Sequence, residues 1–259
     1  MARAKLSVAI ITFNEGHNIR RCLDSLRDLA DEIVVVDSLS TDNTAAIVKA
    51  YPHARFISQA FLGYGLQKDF AAGETRNDIV LSLDADEALS DELYAAIDQA
   101  LNDFTADGYT MNRLNNYAGR WVRHSGWYPD RKLRLWRKSK GGWGDKVLHE
   151  SVAMQPGSKI LHLEGDILHY SYTSVAGHID RFNRYTDIAA KDAFAKGRKV
   201  NIFADVVVNP FLTFLKKYFL KLGFLDGYAG FLIAIHTSYS KFVKYIKLKE
   251  LYDRQKSGK

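Results

Sequence analysis

A single cysteine, Cys22, stands among 259 residues, so no disulfide can form within the chain. The stapled scaffolds of small secreted proteins are therefore excluded, and a reducing compartment is expected. Only four prolines are present, and no internal repeat or low-complexity linker interrupts the sequence. No run approaches the roughly 18–20 apolar residues that cross a bilayer; the longest uncharged C-terminal run lies between Asp226 and Lys241. The first apolar run, Leu6–Ile11, is shorter than a secretory core. It leads into Thr12-Phe13-Asn14-Glu15 without a small-residue cleavage site, which predicts a cytoplasmic chain.

Hydrophobic residues make up 47% of the sequence, enough for a sizeable core and too many for a disordered chain. The net charge of +6 is unevenly placed. Up to Pro210 there are 26 Lys/Arg against 27 Asp/Glu, a net −1; from Phe211 onward there are 10 against 3, a net +7. The whole positive excess falls in the last fifth of the chain, among aromatic and aliphatic residues. Such a tail is either a solvated basic segment or a device for an anionic surface, membrane or nucleic acid.

The first 110 residues alternate short β-branched runs with helical periodicity. Strands are expected at Leu6–Thr12, Glu32–Asp37, Ala54–Ile57 and Asp78–Asp84. Helices are expected over 17–30, after a cap at Ser40 or Thr41, over 63–72 and over 91–101. This rhythm predicts an α/β fold, a parallel sheet with helices on both faces. Residues 108–170 read instead as strand-like pieces joined by aromatic, basic and glycine-rich loops, followed by an amphipathic helix over 174–197. The expected organisation is one domain over 1–199, in two halves (1–110 and 111–199), then a basic amphipathic helical extension over 200–259.

Leu83-Asp84-Ala85-Asp86-Glu87 ends an apolar strand, so its carboxylates emerge at the sheet edge where open α/β folds bind ligands. Two aspartates one residue apart can hold a hard divalent cation together with a ribose or phosphate, and Mg²⁺ usually takes only one or two protein carboxylates. Asp37, ending EIVVVD, can accept hydrogen bonds from a nucleobase or ribose. Along RKLRLWRKSK, Arg131 and Arg134 belong to an alternating basic run that suits a diphosphate or a phosphorylated acceptor.

Taken in order, SVAIITFNE, VVVDSLSTDNT and LSLDADE resemble glycosyltransferase family 2. The resemblance implies a GT-A fold, the Rossmann-like nucleotide-diphospho-sugar transferase architecture. It also implies a UDP-sugar donor and a divalent metal, Mn²⁺ or Mg²⁺. Carried over by position, Thr12, Asn14 and Glu15 line the nucleotide site and Asp37 meets uracil or ribose. Gln67 and Lys68 approach base or diphosphate, the Asp84-Ala85 turn meets the ribose, and Asp86 meets the metal. Where many relatives read Asp-Asp-Gly-Ser after the second strand, this chain reads Asp37-Ser38-Leu39-Ser40. GYGLQKDFA, RLWRKSKGGWGDKVLHES, ILHYSY and GFLDGYAGF are similar to the lipopolysaccharide inner-core β-1,4-glucosyltransferase subgroup. That similarity implies inverting transfer of glucose to a heptose of the lipopolysaccharide core, or of a sugar to another lipid-linked glycan.

Inversion needs a carboxylate that takes the acceptor proton on the face opposite the leaving diphosphate. Glu150 is the candidate and Asp145 its nearest rival. His169 is the candidate second metal ligand, with His162 behind it; imidazole favours Mn²⁺ over Mg²⁺. The tail, with Phe211, Phe214, Phe219 and Lys216, Lys217, Lys221 at helical spacing, fits a helix lying in a membrane interface. The expected location is the cytoplasmic face of the inner membrane, peripherally attached; packing on another subunit, as a homo-oligomer, is the competing use. A sugar nucleotidyltransferase is disfavoured because the first strand runs into Thr-Phe-Asn-Glu and not a glycine-rich basic loop. A nucleic-acid partner is not expected, since no recognition motif is visible.

Overall fold

Apolar β-branched runs shielded on both sides form the core of the N-terminal sheet in a computed structural model that describes residues 3–144, 151–172 and 175–257. In chain order the first part comprises β1 (Leu6–Thr12), α1 (Ile19–Leu26), β2 (Glu32–Asp37), α2 (Thr44–Lys49), β3 (Ala54–Ser58), α3 (Tyr64–Gly73), β4 (Ile79–Asp84), β5 (Glu87–Leu89) and α4 (Asp91–Asn102). It continues through β6 (Gly108–Tyr117), β7 (Arg120–Val122), β8 (Asp130–Arg137), β9 (Gly141–Trp143), β10 (Val152–Met154) and β11 (Ile160–Tyr172). The helices α5 (Val175–Ala195), α6 (Asn209–Leu215) and α7 (Gly227–Lys256) follow, with wide π-type turns at Ile202–Val208 and Lys216–Leu220.

Two compact units result: residues 1–114 with 130–170, and residues 115–129 with 171–259. In the first, the main sheet runs β3-β2-β1-β4-β8-β6-β11-β5. The four strands read from the N-terminal half are parallel, as expected. Beyond β4, where the sequence changes character, the order turns antiparallel: β8 joins β4, β6 joins β8, and β5 joins β11, each antiparallel. The cause lies in the connections, because only the first half supplies the crossover helices that parallel neighbours need.

Alternation along β1 divides the core. Leu6, Val8 and Ile10 pack with Ile19, Cys22, Leu23 and Leu26 of α1 and with Leu93, Ile97 and Leu101 of α4. Ala9 faces the other way, toward Val34, Val36, Ala71, Ala72, Val80, Trp136 and Trp143. Each fully buried aliphatic side chain contributes about 1.5–3 kcal/mol, so both layers are needed. The cap expected at Ser40 or Thr41 is displaced. α2 starts at Thr44, and Asp42 accepts from its amide at 2.9 Å. Ser40 is instead engaged by Asp37, and the Thr41 amide by Asn14.

The second unit holds two smaller cores. Ala190 and Ala193 of α5 pack with Val206, Tyr245 and Leu248; Tyr117 and Val122 pack with Ala229 and Ile233. Residues 175–195, read on sequence as part of the 111–199 half, thus belong by packing with the tail helices. Among the described residues no single helix is long and apolar enough to cross a membrane, although Ile202–Leu220 and Gly223–Lys256 together, bent by 70°, would qualify as a pair.

Gly165 allows β11 to reach α4. Its φ is +94°, and a Cβ there would lie 2.3 Å from the Leu93 amide nitrogen and 2.7 Å from the Leu93 Cα. Next to it, Ser90 Oγ caps α4 by accepting from Leu93 N and also accepts from Asp166 N, both at 3.1 Å. Gly165→Ala is expected to cost about 2–4 kcal/mol, combining backbone strain and a clash that only main chain can relieve. Gly157→Ala, at a φ of +83° but with nothing within 4 Å, should cost only the strain, about 1–2 kcal/mol. Denaturant midpoints measured for both decide it; equal losses would remove the contact with α4 as the cause.

Candidate functional site

The C-terminal ends of the parallel strands converge on one group of polar side chains in the first unit. Thr12 ends β1 and is level with Asp37, the end of β2, in the parallel register; Asp84 ends β4. Asp37 is buried and accepts from both the amide and the hydroxyl of Ser40, folding Ser38–Ser40 back over the strand end. Asn14, at a φ of 53°, donates its amide to Ser40 Oγ at 2.7 Å and accepts from the Thr41 amide at 2.8 Å. Glu15 accepts from Asn18 Nδ2 at 2.8 Å and donates its amide to Thr44 Oγ1 at 3.0 Å. Gln67, fully buried on α3, donates to Ser38 Oγ at 3.2 Å. The five residues Thr12, Asn14, Glu15, Asp37 and Gln67 therefore do come together. The Thr12 hydroxyl is buried with no hydrogen-bond partner among the described residues.

Deeper in the same edge lies a charge cluster. Lys68, next along α3 and 5% exposed, approaches Asp84 at 2.9 Å. Arg134 of β8, 3% exposed, approaches Asp84 at 3.2 Å and Glu87 at 3.0 Å. Glu87 also accepts from the Asp84 amide at 3.0 Å. The Trp143 ring lies beneath both cations, 4.9 Å from Lys68 Nζ and 5.4 Å from the Arg134 guanidinium carbon. Burial works against charge on Asp84, but the Lys68 ammonium and the Arg134 guanidinium outweigh it and hold its carboxyl well below the usual range. Arg134 is likewise penalised by burial, and Glu87 and Asp84 more than restore its charge, raising its pKa. Asp84 and Arg134 both stay ionised at neutral pH.

Asp86 and His169, 83 residues apart, are brought together by β-pairing. His169 is level with Glu87 in the β11–β5 register, and the Tyr170 amide donates to the Asp86 carbonyl at 2.9 Å. The result is His169 Nε2 at 3.3 Å from Asp86 Oδ2, with 13% and 20% of the respective side chains exposed. Among the described residues no three His, Cys, Asp or Glu side chains gather as a ready-made metal cage. A pair of this kind suits a metal whose remaining ligands come from substrate phosphates and water. His162 is directed elsewhere, toward the Thr110 hydroxyl at 3.1 Å.

The other candidates separate. The Ala85 methyl is buried in the core. Arg131 is exposed. Arg137 turns to Asp78 and to the Phe104 carbonyl, so the basic run of β8 does not present one cationic face. Trp136 and Trp143 are buried against one another at 6.1 Å and not free to stack on sugars. Glu150 and Asp145 lie outside the described residues. Sequence reading gave Glu87 no role, yet it is the second buried acid of the cluster. Its place in the LDADE motif was the available signal; its partner Arg134, 47 residues away, was not.

The family model described as Glycosyl transferase family 2 matches residues 7–157. An uncharacterized glycosyltransferase of Rickettsia typhi is 33% identical over 257 residues, 95% of this chain and 87% of its own length. The lipopolysaccharide core biosynthesis glycosyltransferase LpsC of Rhizobium meliloti is 30% identical over 255 residues, 94% and 91% of the two chains. Among solved structures, S. aureus TarS in complex with UDP-GlcNAc superposes with a TM-score of 0.50 at 16% identity, covering 98% of this chain and 92% of that one; this is a likeness of fold.

The charge cluster makes a stability prediction. A carboxyl whose folded pKa is depressed stabilises the protein above its unfolded pKa, about 3.9 for aspartate, and that contribution is lost as pH falls through the folded value. Asp84→Asn takes a carboxylate away from two buried cations, Lys68 and Arg134, and is expected to cost about 3–5 kcal/mol at pH 7. The difference between wild type and variant, followed by urea denaturation, should stay constant from pH 7 to about 4 and shrink below that. A difference that shrinks above pH 5 would contradict the assignment.

Proposed function

The chain belongs to glycosyl transferase family 2, has the GT-A fold, and is a glycosyltransferase. On that premise we propose that it is an inverting enzyme that moves glucose from UDP-glucose to a heptose of the lipopolysaccharide core, forming a β linkage. The observation that carries the donor reading is the Asp86–His169 pair at 3.3 Å, next to an Asp84 locked in its charged form by Lys68 and Arg134. The Rhizobium meliloti relative, named for lipopolysaccharide core biosynthesis, supports the acceptor class, and the UDP-GlcNAc complex of TarS is consistent with a UDP-sugar donor.

Each group has a task in this reading. Asp37 is already folded back by Ser40 and offers carboxylate lone pairs to uracil or ribose. The buried Thr12 hydroxyl beside it supplies a further contact. Asp84 is held charged and cannot rotate away, so it presents a fixed acceptor to the ribose hydroxyls. Asn14, Glu15 and Gln67 order the loops around the nucleotide, and Lys68 brings a positive charge toward the diphosphate. Asp86 and His169 fit a divalent ion, with His169 favouring Mn²⁺; bound there, the ion supplies Lewis-acid stabilisation to the leaving diphosphate. Glu150 takes the acceptor hydroxyl proton as the oxygen attacks the anomeric carbon from the opposite face, with Asp145 the rival for that role.

The proposed location is the cytoplasmic face of the inner membrane. Its support is the second unit's exposed apolar surface, with Phe203 72% and Leu220 78% exposed, beside the exposed lysines Lys216 and Lys221. Apolar burial and attraction to anionic lipid together fit interfacial attachment.

Calorimetric titration of UDP-glucose with and without Mn²⁺ tests the donor site. Asp86→Asn and His169→Gln are expected to lose the Mn²⁺-dependent affinity by at least the roughly 10–100-fold that even an outer-shell change costs. Unchanged binding in both would sink the pair. In a transfer assay on the same protein, Glu150→Gln should lower kcat about 10²–10⁴-fold with donor affinity kept; a collapse confined to Asp145→Asn moves the base there.

Vesicle co-sedimentation tests location. Binding should require anionic lipid and weaken as the Debye length shrinks from about 10 Å at 0.1 M salt to about 3 Å at 1 M. Phe203→Ser with Leu220→Ser should reduce it; sedimentation equal to wild type would assign the surface to subunit packing.

A further inference from the structure

A groove of about 280 Å³ runs beside the contact between α5 and α7 in the second unit. Its α5 wall is built by residues one helical turn apart, His178, Arg181, Phe182 and Tyr185; its α7 wall carries Lys241 and Lys244, and Tyr172 closes one side. The floor is rigid. His178 Nδ1 is 3.0 Å from the Tyr117 hydroxyl and 2.9 Å from His236 Nδ1, and the Phe182 and Tyr239 rings meet edge-on at 5.7 Å. Burial, with His236 and Arg181 nearby, lowers the His178 pKa to about 4, so this imidazole is neutral at pH 7 and the charge in the groove comes from the other three groups.

Those three cations are unbalanced. Among the described residues no carboxylate lies within ion-pair distance of Arg181, Lys241 or Lys244, whereas Lys247, one turn further along α7, is held by Asp187 at 2.7 Å and by Asn183 Oδ1 at 2.7 Å. Arg181 and Lys244 are half-buried. A partly desolvated cation is stabilised by an anion, and two or three converging on one groove match a dianion better than a single carboxylate. The Arg181 guanidinium lies over the Tyr172 ring at 4.9 Å, which fixes its plane and leaves its N–H edge for bidentate contact with phosphate oxygens. Tyr185 is 60% exposed, a large ring presented to solvent at the mouth. Aromatic faces beside phosphate-binding cations, in a space below the 300–1,000 Å³ of drug-sized sites, suit one sugar ring carrying a phosphate.

We propose that this groove is a binding subsite for a phosphorylated sugar unit of the acceptor glycan. Arg181, Lys241 and Lys244 hold the phosphate, and Tyr185 covers the ring. The substrate part of the proposal rests on the reading of the chain as a transferase with a glycan acceptor; the chemistry of the groove does not.

The test titrates the full-length protein with glucose 6-phosphate, with glucose and inorganic phosphate as the two half-ligands, by NMR of the aromatic and histidine ring signals. Glucose 6-phosphate should bind in the millimolar range or tighter, with shifts at His178 and Tyr185, and at least about tenfold more tightly than either half. Arg181→Gln and Lys244→Gln should each weaken it about tenfold or more, the value of one charge-assisted hydrogen bond. Lys241 is exposed, so Lys241→Gln gives a variant whose folding is not at stake, and it should weaken binding with a reduced salt dependence. UDP-glucose titrated into the same variants should bind as in wild type. No saturable binding of glucose 6-phosphate, or binding unchanged in all three variants, overturns the proposal. So does the outcome in which only phosphatidylglycerol vesicles respond to the substitutions, which would make the groove a lipid headgroup site. Loss of UDP-glucose binding in wild type with glucose 6-phosphate binding intact would overturn the donor reading and leave the groove.

Discussion

A carboxylate at the end of a buried strand is tolerable only if donors or a positive charge meet it; Ser40 does this for Asp37, and at Asp84 the need for positive charge organises the first unit. Removing an ion from water costs several kcal/mol even after relaxation, recovered only when partners are close and well placed. Asp84 obtains two, from a helix preceding its strand and from an antiparallel strand 50 residues later. That second cation would leave an excess of charge, and Glu87 restores the balance. The β4–β8 pairing places Leu135 opposite Leu81 and so delivers Arg134 to the strand end. The switch from parallel to antiparallel order thus has an electrostatic purpose as well as a connective one.

Much of this was legible in the sequence, for identifiable reasons. β1, β2 and β4 are continuous β-branched runs, and their lengths and parallel order follow from that pattern and from the helices between them. Asp37 and Asp84 could be placed at strand ends because each closes such a run. The union of Asp86 with His169 depends on the β5–β11 register, and that of Asp84 with Arg134 on the β4–β8 register. Hydrophobic periodicity specifies which face a residue takes but not which distant strand lies beside it. The strand order of the second half of the sheet and the role of Glu87 escaped for this reason. The alternation of β8 did predict a strand, yet Lys132 turns to Asp130, Arg134 to Asp84 and Glu87, and Arg137 to Asp78, so the cationic face did not materialise.

The GFLDGYAGF segment, noted on sequence as a likeness to one subgroup, has a structural role in the second unit. A Cβ on Gly230 would lie 1.8 Å from the Gly223 carbonyl oxygen, and one on Gly223 would lie 2.6 Å from Ser125 Oγ. Asp226 between them accepts from the His124 amide and ring, both at 2.8 Å. The two glycines permit the approach of main chains, and the aspartate fastens the 115–129 excursion to the start of α7.

That excursion is separated from the helices it joins by the whole of β8 to β11. Val122 packs with Ile233, made more than a hundred residues later. At about 5–20 residues per second of synthesis, the short β6–β7 hairpin waits on the order of ten seconds for the residues that bury its aromatic face. During that interval Tyr117 and Trp127 have only each other and, once it is made, Tyr172 to pack against. The joint between the excursion and α7 is therefore late by construction, its timing set by the order of the residues along the gene.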